Sequence, residues 1–142
     1  MARTVIVDVD GTVALRRGKS ARGPFDYARV GEDTPNTPVI AVVEALALAG
    51  HDIVFLSGRE SVPGCREDTL AWLERHIAVP TIELYMRAEG DQRRDSIVKR
   101  ELYRKHLAGR DILAVLDDRD QVVRMWRDEL GLTCLQVAYG DF

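Results

Sequence analysis

The chain has 142 residues, 46% hydrophobic and 30% charged, with a net charge of −3. That size suits one domain, since near it about 68–70% of the unfolded surface is buried on folding. No apolar run approaches the roughly 20 residues of a membrane helix, and the mild acidity argues against a protein coated for nucleic acid, leaving only local charge for that purpose.

In chain order, the apolar run of Arg3–Val9 predicts a first strand. Ala14–Asn36, rich in Gly, Arg and Pro, shows little periodicity and reads as a long loop or small flap. Thr37-Pro38 reads as an N-cap followed by a proline at the first helical position, with Val39, Val42, Val43 and Leu46 on one face and Gly50 as the stop. His51–Leu56 predicts a second strand, Glu67–His76 a helix, Thr81–Met86 a strand and Asp95–Leu107 a helix. Ile112–Leu116 is a further strand, Asp120–Leu130 a helix with Val122, Trp126 and Leu130 four apart, and Thr133–Val137 the last strand. Short apolar strands alternating with helices predict an α/β fold, a doubly wound, Rossmann-like sheet of five parallel strands. The single domain is expected to span 1–142, with its flap at about 14–36.

Four motifs fall at strand ends or helix starts. Asp8-Val-Asp10-Gly11-Thr12 puts two carboxylates on a common side of a strand end, beside a glycine that permits a sharp turn. One acid can attack phosphorus while the other moves a proton to the leaving oxygen; an Asx-capped turn has the same signature. Ser57-Gly58-Arg59 offers a hydroxyl and backbone N–H groups to phosphate oxygens, or simply a polar turn. Lys99 can neutralise a phosphate and a nucleophile, or form a surface pair with Asp95 worth under ~0.5 kcal/mol. The adjacent acids Asp117-Asp118 repel unless a hard cation such as Mg²⁺, or the neighbouring Arg119, compensates them.

The order and spacing of these motifs resemble the haloacid dehalogenase-like phosphohydrolases. More specifically, Arg22-Gly23-Pro24-Phe25-Asp26-Tyr27, Ser57-Gly58-Arg59-Glu60-Ser61, Arg94-Asp95-Ser96-Ile97-Val98-Lys99, the stretch from Asp117 to Trp126 and the ending Gln136–Phe142 resemble the phosphatase domain of phage-type bifunctional polynucleotide kinase/3′-phosphatases. The resemblance covers essentially the whole chain. It implies Asp8 as the nucleophile of an aspartyl-phosphate, Asp10 as general acid and base, and a Mg²⁺ ion held by Asp8, the Asp10 carbonyl and Asp117, with Asp118 acting through water. It further implies phosphate contacts from Ser57 and Lys99, active-site roles for Arg22 and Arg59, and Asp95 orienting Lys99 or an arginine. Asp10 separates the chain from haloalkanoate dehalogenases, which lack that acid.

A kinase domain is not expected within these residues. Gly18-Lys19-Ser20 mimics a P-loop, but Val13 stands where its first glycine belongs. No cap domain is expected either, because Val13–Asn36 is too short and Glu60–Arg94 is used by a helix and a strand. An open cleft suits a polymer end, and Arg16, Arg17, Lys19 and Arg22 put four basic residues in seven positions of the flap. Arg93 and Arg94 could extend that track, diluted by Asp91 and Asp95. The expected substrates are 3′-phosphorylated DNA or RNA ends, with a separate kinase or ligase as partner. The alternatives are a capless phosphatase for free nucleotides or other small phosphomonoesters, and a non-catalytic module that binds phosphorylated ends. Aromatics, at 6%, are too few for base reading by extensive stacking. Trp72 and Trp126 read as core, and His51, His76 and His106 form no ligand cluster. Cys65 and Cys134 read as packing residues of a reducing compartment; Met1-Ala2-Arg3 leads into a strand and not a leader, so a bacterial or phage-infected cytoplasm is expected.

Overall fold

The computed structural model describes residues 2–18 and 21–142. Its five parallel strands are β1 (Thr4–Asp8), β4 (Asp52–Glu60), β5 (Glu83–Arg87), β6 (Ile112–Asp117) and β7 (Cys134–Gln136), in the order β5-β4-β1-β6-β7. The sheet reverses its winding at β1, which pairs with β4 on one side and β6 on the other. Loops leaving adjacent strands on either side of that point diverge and open a crevice at the C-terminal strand ends.

Side-chain alternation builds two cores. Val5, Val7, Val9 and Phe55 face Ile40 and Val43 of α1 (Thr37–Leu48) and Trp72 and Leu73 of α2 (Cys65–His76). Ile6, Val54, Leu56 and Val115 face the other layer, formed by α3 (Asp95–His106) and α4 (Asp120–Arg124) with Val122, Val123 and Trp126. β1 is buried on both faces, as its unbroken apolar run requires. Among the described residues no helix is long and apolar enough to cross a membrane.

Several boundaries differ from the sequence reading. The N-cap of α1 is Asn36, whose side-chain amide donates to the Thr12 carbonyl, and Thr37 is already helical. Ser57-Gly58-Arg59 is not a turn beyond the strand. β4 continues to Glu60 because β5 keeps pairing with it across a register shift between Ser57 and Glu60. The predicted last helix is α4 followed by one π-helical turn, Met125–Glu129. The flap region contains a two-residue antiparallel pair, β2 (Ala14–Leu15) with β3 (Thr34–Pro35), and a 3₁₀ turn at Tyr27–Glu32. No cap domain lies between β1 and α1 or between β4 and β5 among the described residues. Lys19 and the end of the P-loop mimic lie outside the described residues.

Candidate active site

A cleft of about 490 Å³ opens at the crevice over the end of β1. Its floor and walls include Asp8, Asp10, Gly58, Arg59, Asp95, Lys99, Asp117 and Asp118. Four strand ends and one helix start thus bring together residues up to 110 positions apart.

Asp8, at the end of the central strand, is 5% exposed. Lys99 Nζ lies 2.6 Å from one of its carboxylate oxygens, and the Thr12 hydroxyl donates to the other at 2.8 Å. Lys99 comes from the second turn of α3 and is itself 1% exposed, so it is no surface partner of Asp95. It also donates to Asp117 at 3.1 Å and lies 3.6 Å from Asp95. Burial opposes its charge, yet Asp117 and Asp8 together raise it well above the usual lysine value, and it stays an ammonium.

Asp117 and Asp118 close the metal-type cluster. Together with Asp8 they present carboxylate oxygens that all lie within 4.8 Å of one another. Trp126 is fully buried core, as expected, but its indole N–H also donates to Asp117 at 3.2 Å. Arg119 does not compensate the pair with its guanidinium, which reaches the Phe142 carbonyl at 2.8 Å and stands 3.8 Å from Asp95. Three buried carboxylates against one ammonium leave excess negative charge. Burial, then Asp117, holds Asp8 well above the usual carboxylate range, and burial also raises Asp118 despite a hydrogen bond with Asp8. Hard oxygen donors crowded this closely fit a small divalent cation, which would offset their mutual repulsion.

Gly11 explains how Asp118 gets so close. It has φ +82°, where other residues are strained, and a Cβ at that position would collide with the Asp118 carboxylate. Gly58 likewise allows a close approach, but of the Asp95 carboxylate against its backbone. Asp95 in turn accepts from Arg87 at 3.3 Å.

Asp10 sits apart from that cluster and is gripped by arginines. Arg59 binds it through Nε and Nη2 at 2.9 and 2.8 Å, and Arg22 through Nη2 at 3.0 Å. Both guanidiniums also reach Asp33, Arg22 at 2.8 and 2.9 Å and Arg59 at 2.8 Å. Burial would raise Asp10, but the hydrogen bonds and charge of Arg59, aided by Arg22, outweigh it and hold the carboxyl below the usual range. Ser57 is fully buried, with its hydroxyl accepting the Arg59 N–H at 3.1 Å. Arg16 and Arg17 are exposed; Arg16 lines the cleft, while Arg17 and Arg22 line a second cavity of about 330 Å³ beside it. Arg93 and Arg94 both line the cleft, Arg93 with its guanidinium engaged by Asp91 and Glu101.

Two residues escaped the sequence reading. Asp33 lies in the flap stretch that has no periodicity; the signal available was that an arginine drawn into a site needs a buried counter-charge. Arg87 ends β5, donating to the Gly58 carbonyl at 2.7 Å, and its signal was a cation at the C-terminal end of a buried strand.

Residues 2–142 match the family described as the polynucleotide kinase PNKP phosphatase domain. A protein of Autographa californica nuclear polyhedrosis virus named as a bifunctional polynucleotide kinase/RNA ligase is 38% identical over 130 residues, which cover 89% of this chain and 18% of the viral protein. A chain in the structure of a Pnkp1/Rnl/Hen1 complex superposes with a TM-score of 0.89 at 40% identity, over 100% of this chain and 48% of that one. A chain in the Pnkp1/Rnl/Hen1 RNA repair complex gives 0.87 at 41% identity, over 99% and 44%. This chain therefore spans less than half the length of each of these three relatives.

Proposed function

The chain belongs to the family of PNKP phosphatase domains, and from that premise we propose that it removes 3′-phosphates from polynucleotide ends, RNA ends in particular, through an aspartyl-phosphate. The observation that carries this reading is Asp8, held between Lys99 and Thr12 beside Asp117 and Asp118, on the floor of a cleft without a cap. RNA is favoured because one relative is named as an RNA ligase and another belongs to an RNA repair complex. For the same reason the reaction is assigned a place beside a kinase and a ligase that act on the same ends.

Asp8 attacks phosphorus while Lys99 and Thr12 hold its two oxygens, which fixes the attacking lone pair and costs no reorganisation. Asp10 gives a proton to the departing 3′-oxygen and then takes one from the water that cleaves the aspartyl-phosphate. The arginines that depress Asp10 favour its base form for the second half. The incoming phosphate, a like charge, raises it toward the acid form for the first. A divalent cation, Mg²⁺ in this reading, held by Asp8, Asp117, Asp118 and the Asp10 carbonyl would supply charge neutralisation at the phosphate oxygens. Arg16 and Arg17, with Lys19, are assigned to the approaching strand, and Gly58, which lines the cleft, to the backbone cradle around the phosphate, with buried Ser57 bracing the Arg59 N–H behind it.

A substrate panel tests the proposal. With Mg²⁺ present, phosphate release should be fastest from 3′-phosphorylated oligonucleotides, slower from 3′-mononucleotides and a generic aryl phosphate, and absent from 5′-phosphorylated strands. Preference for free nucleotides would replace it with a small-metabolite phosphatase.

A further inference from the structure

Two large aromatic rings line the cleft without being drawn into the core. Phe25 is 80% exposed and Phe142 is 64% exposed, and both line the space that holds Asp8. Leaving such a ring in water forgoes about 2–3 kcal/mol of burial, and the surrounding walls are charged.

Both rings are mounted on backbone tied to charged groups of the cleft. Phe25 follows Arg22-Gly23-Pro24, and Arg22, pinned to Asp10 and Asp33, also donates to the Gly23 and Pro24 carbonyls at 3.3 and 3.5 Å. Phe142 is tied by its carbonyl, which accepts from Arg119 at 2.8 Å and Gln121 at 3.3 Å. The Arg119 guanidinium lies 5.0 Å from its ring centroid. The segments are anchored while both rings stay largely exposed, Phe142 with Arg119 over one face, the arrangement a stacking partner needs.

We propose that Phe25 and Phe142 are a stacking platform for the nucleobases at the 3′ end of the bound strand, which rests on the 3′-phosphatase reading and adds how the site tells a nucleotide end from another phosphomonoester. Every base has a π-face, so Phe rings recognise a nucleotide without selecting a sequence. The Arg119 cation over Phe142 adds a polar neighbour for a base edge or phosphate. Two rings suffice for one or two terminal bases, which accords with a chain too poor in aromatics for longer base reading.

The test compares the full chain with Phe25→Ala, Phe142→Ala and Phe25→Tyr, in Mg²⁺, on two 3′-phosphorylated oligonucleotides. One is unmodified and the other carries tetrahydrofuran abasic residues at its two 3′-terminal positions. Each alanine variant should raise KM for the unmodified strand by about five- to a hundredfold, with kcat little changed and melting temperature intact. Phe25→Tyr should keep the lower KM. On the abasic strand the unsubstituted protein should already show a raised KM, and the alanine penalty should vanish. Equal KM for both strands, or an alanine penalty of the same size on both, overturns the platform while leaving the 3′-phosphatase reading in place. Failure of the unsubstituted protein to release phosphate from either strand overturns that reading and the platform with it.

Discussion

Asp33 is the residue on which the geometry of Asp10 depends most, although it lies outside every motif. Its carboxylate accepts three hydrogen bonds, two from Arg22 and one from Arg59, and the side chains involved are 1–2% exposed. Asp33→Ala leaves two buried guanidiniums with Asp10 as the one carboxylate they share among the described residues. Removing one partner from a buried ion pair costs about 3–5 kcal/mol. For a chain of this size each kcal/mol lowers the melting temperature by roughly 3–4 °C, so a drop of about 10–20 °C is expected. Asp33→Asn keeps the volume but turns an amide toward one guanidinium, and should lose somewhat less. Activity should fall further than stability alone predicts, because an Asp10 displaced by about 1 Å costs on the order of a hundredfold in rate. Asp26→Asn is the control: its pair with Arg29 is exposed at 3.7 Å, where water and salt screen it and its loss should leave the melting temperature unchanged. Thermal unfolding followed by circular dichroism, and kcat on a 3′-phosphorylated oligonucleotide measured below both transitions, read the two effects. An Asp33→Asn protein that melts within about 2 °C of the unsubstituted chain and turns over as fast would refute the reasoning.

Gly11→Ala should destabilise the fold by about 1–2 kcal/mol through its positive φ and raise the Mg²⁺ concentration needed for activity by displacing Asp118; an unchanged Mg²⁺ titration contradicts this. The pH dependence follows from Asp10: because its folded value is lowered, its stabilising ion pairs persist above the ordinary carboxylate value of about 4 and are lost only as pH falls through the lowered one. Arg59→Met removes the main lowering influence, so the acid limb of kcat should move to higher pH, and a limb that stays put refutes the role given to Arg59. Burial pushes the Cys134 thiol up to about 12 and raises Cys65 as well. Neither should alkylate at pH 8 until denaturant is added, and labelling of the native chain at the unfolded rate would contradict their burial.

What the sequence made legible was local. Asp8, Asp10, Lys99, Asp117 and Asp118 stand out because a strand end or helix start announces itself in a few residues, and the alternation of strands and helices brings such ends to one side of the sheet. The contacts that hide from the sequence are those made across it. Asp33 meets Arg22 from 11 positions away and Arg59 from 26, and its carbonyl takes the Trp72 N–H from 39. Ser57-Gly58-Arg59 was misplaced for a related reason: its polarity mimics a turn, but pairing to β5 keeps it in the strand. Trp126 was rightly placed in the core, yet hydrophobic periodicity says nothing of the indole N–H that braces Asp117. The ending around Phe142 acquires a physical purpose only once Arg119 is seen beneath its ring and at its carbonyl.

The most direct test of the account is phosphate release from a 3′-phosphorylated RNA oligonucleotide in Mg²⁺ by the unsubstituted chain and by Asp8→Asn. Asparagine keeps the shape of a side chain whose buried charge already opposes stability, so the variant should fold normally. Its rate should fall at least about a thousandfold. A folded Asp8→Asn protein that retains substantial activity would show that no aspartyl-phosphate forms at Asp8 and would remove the centre of the mechanism.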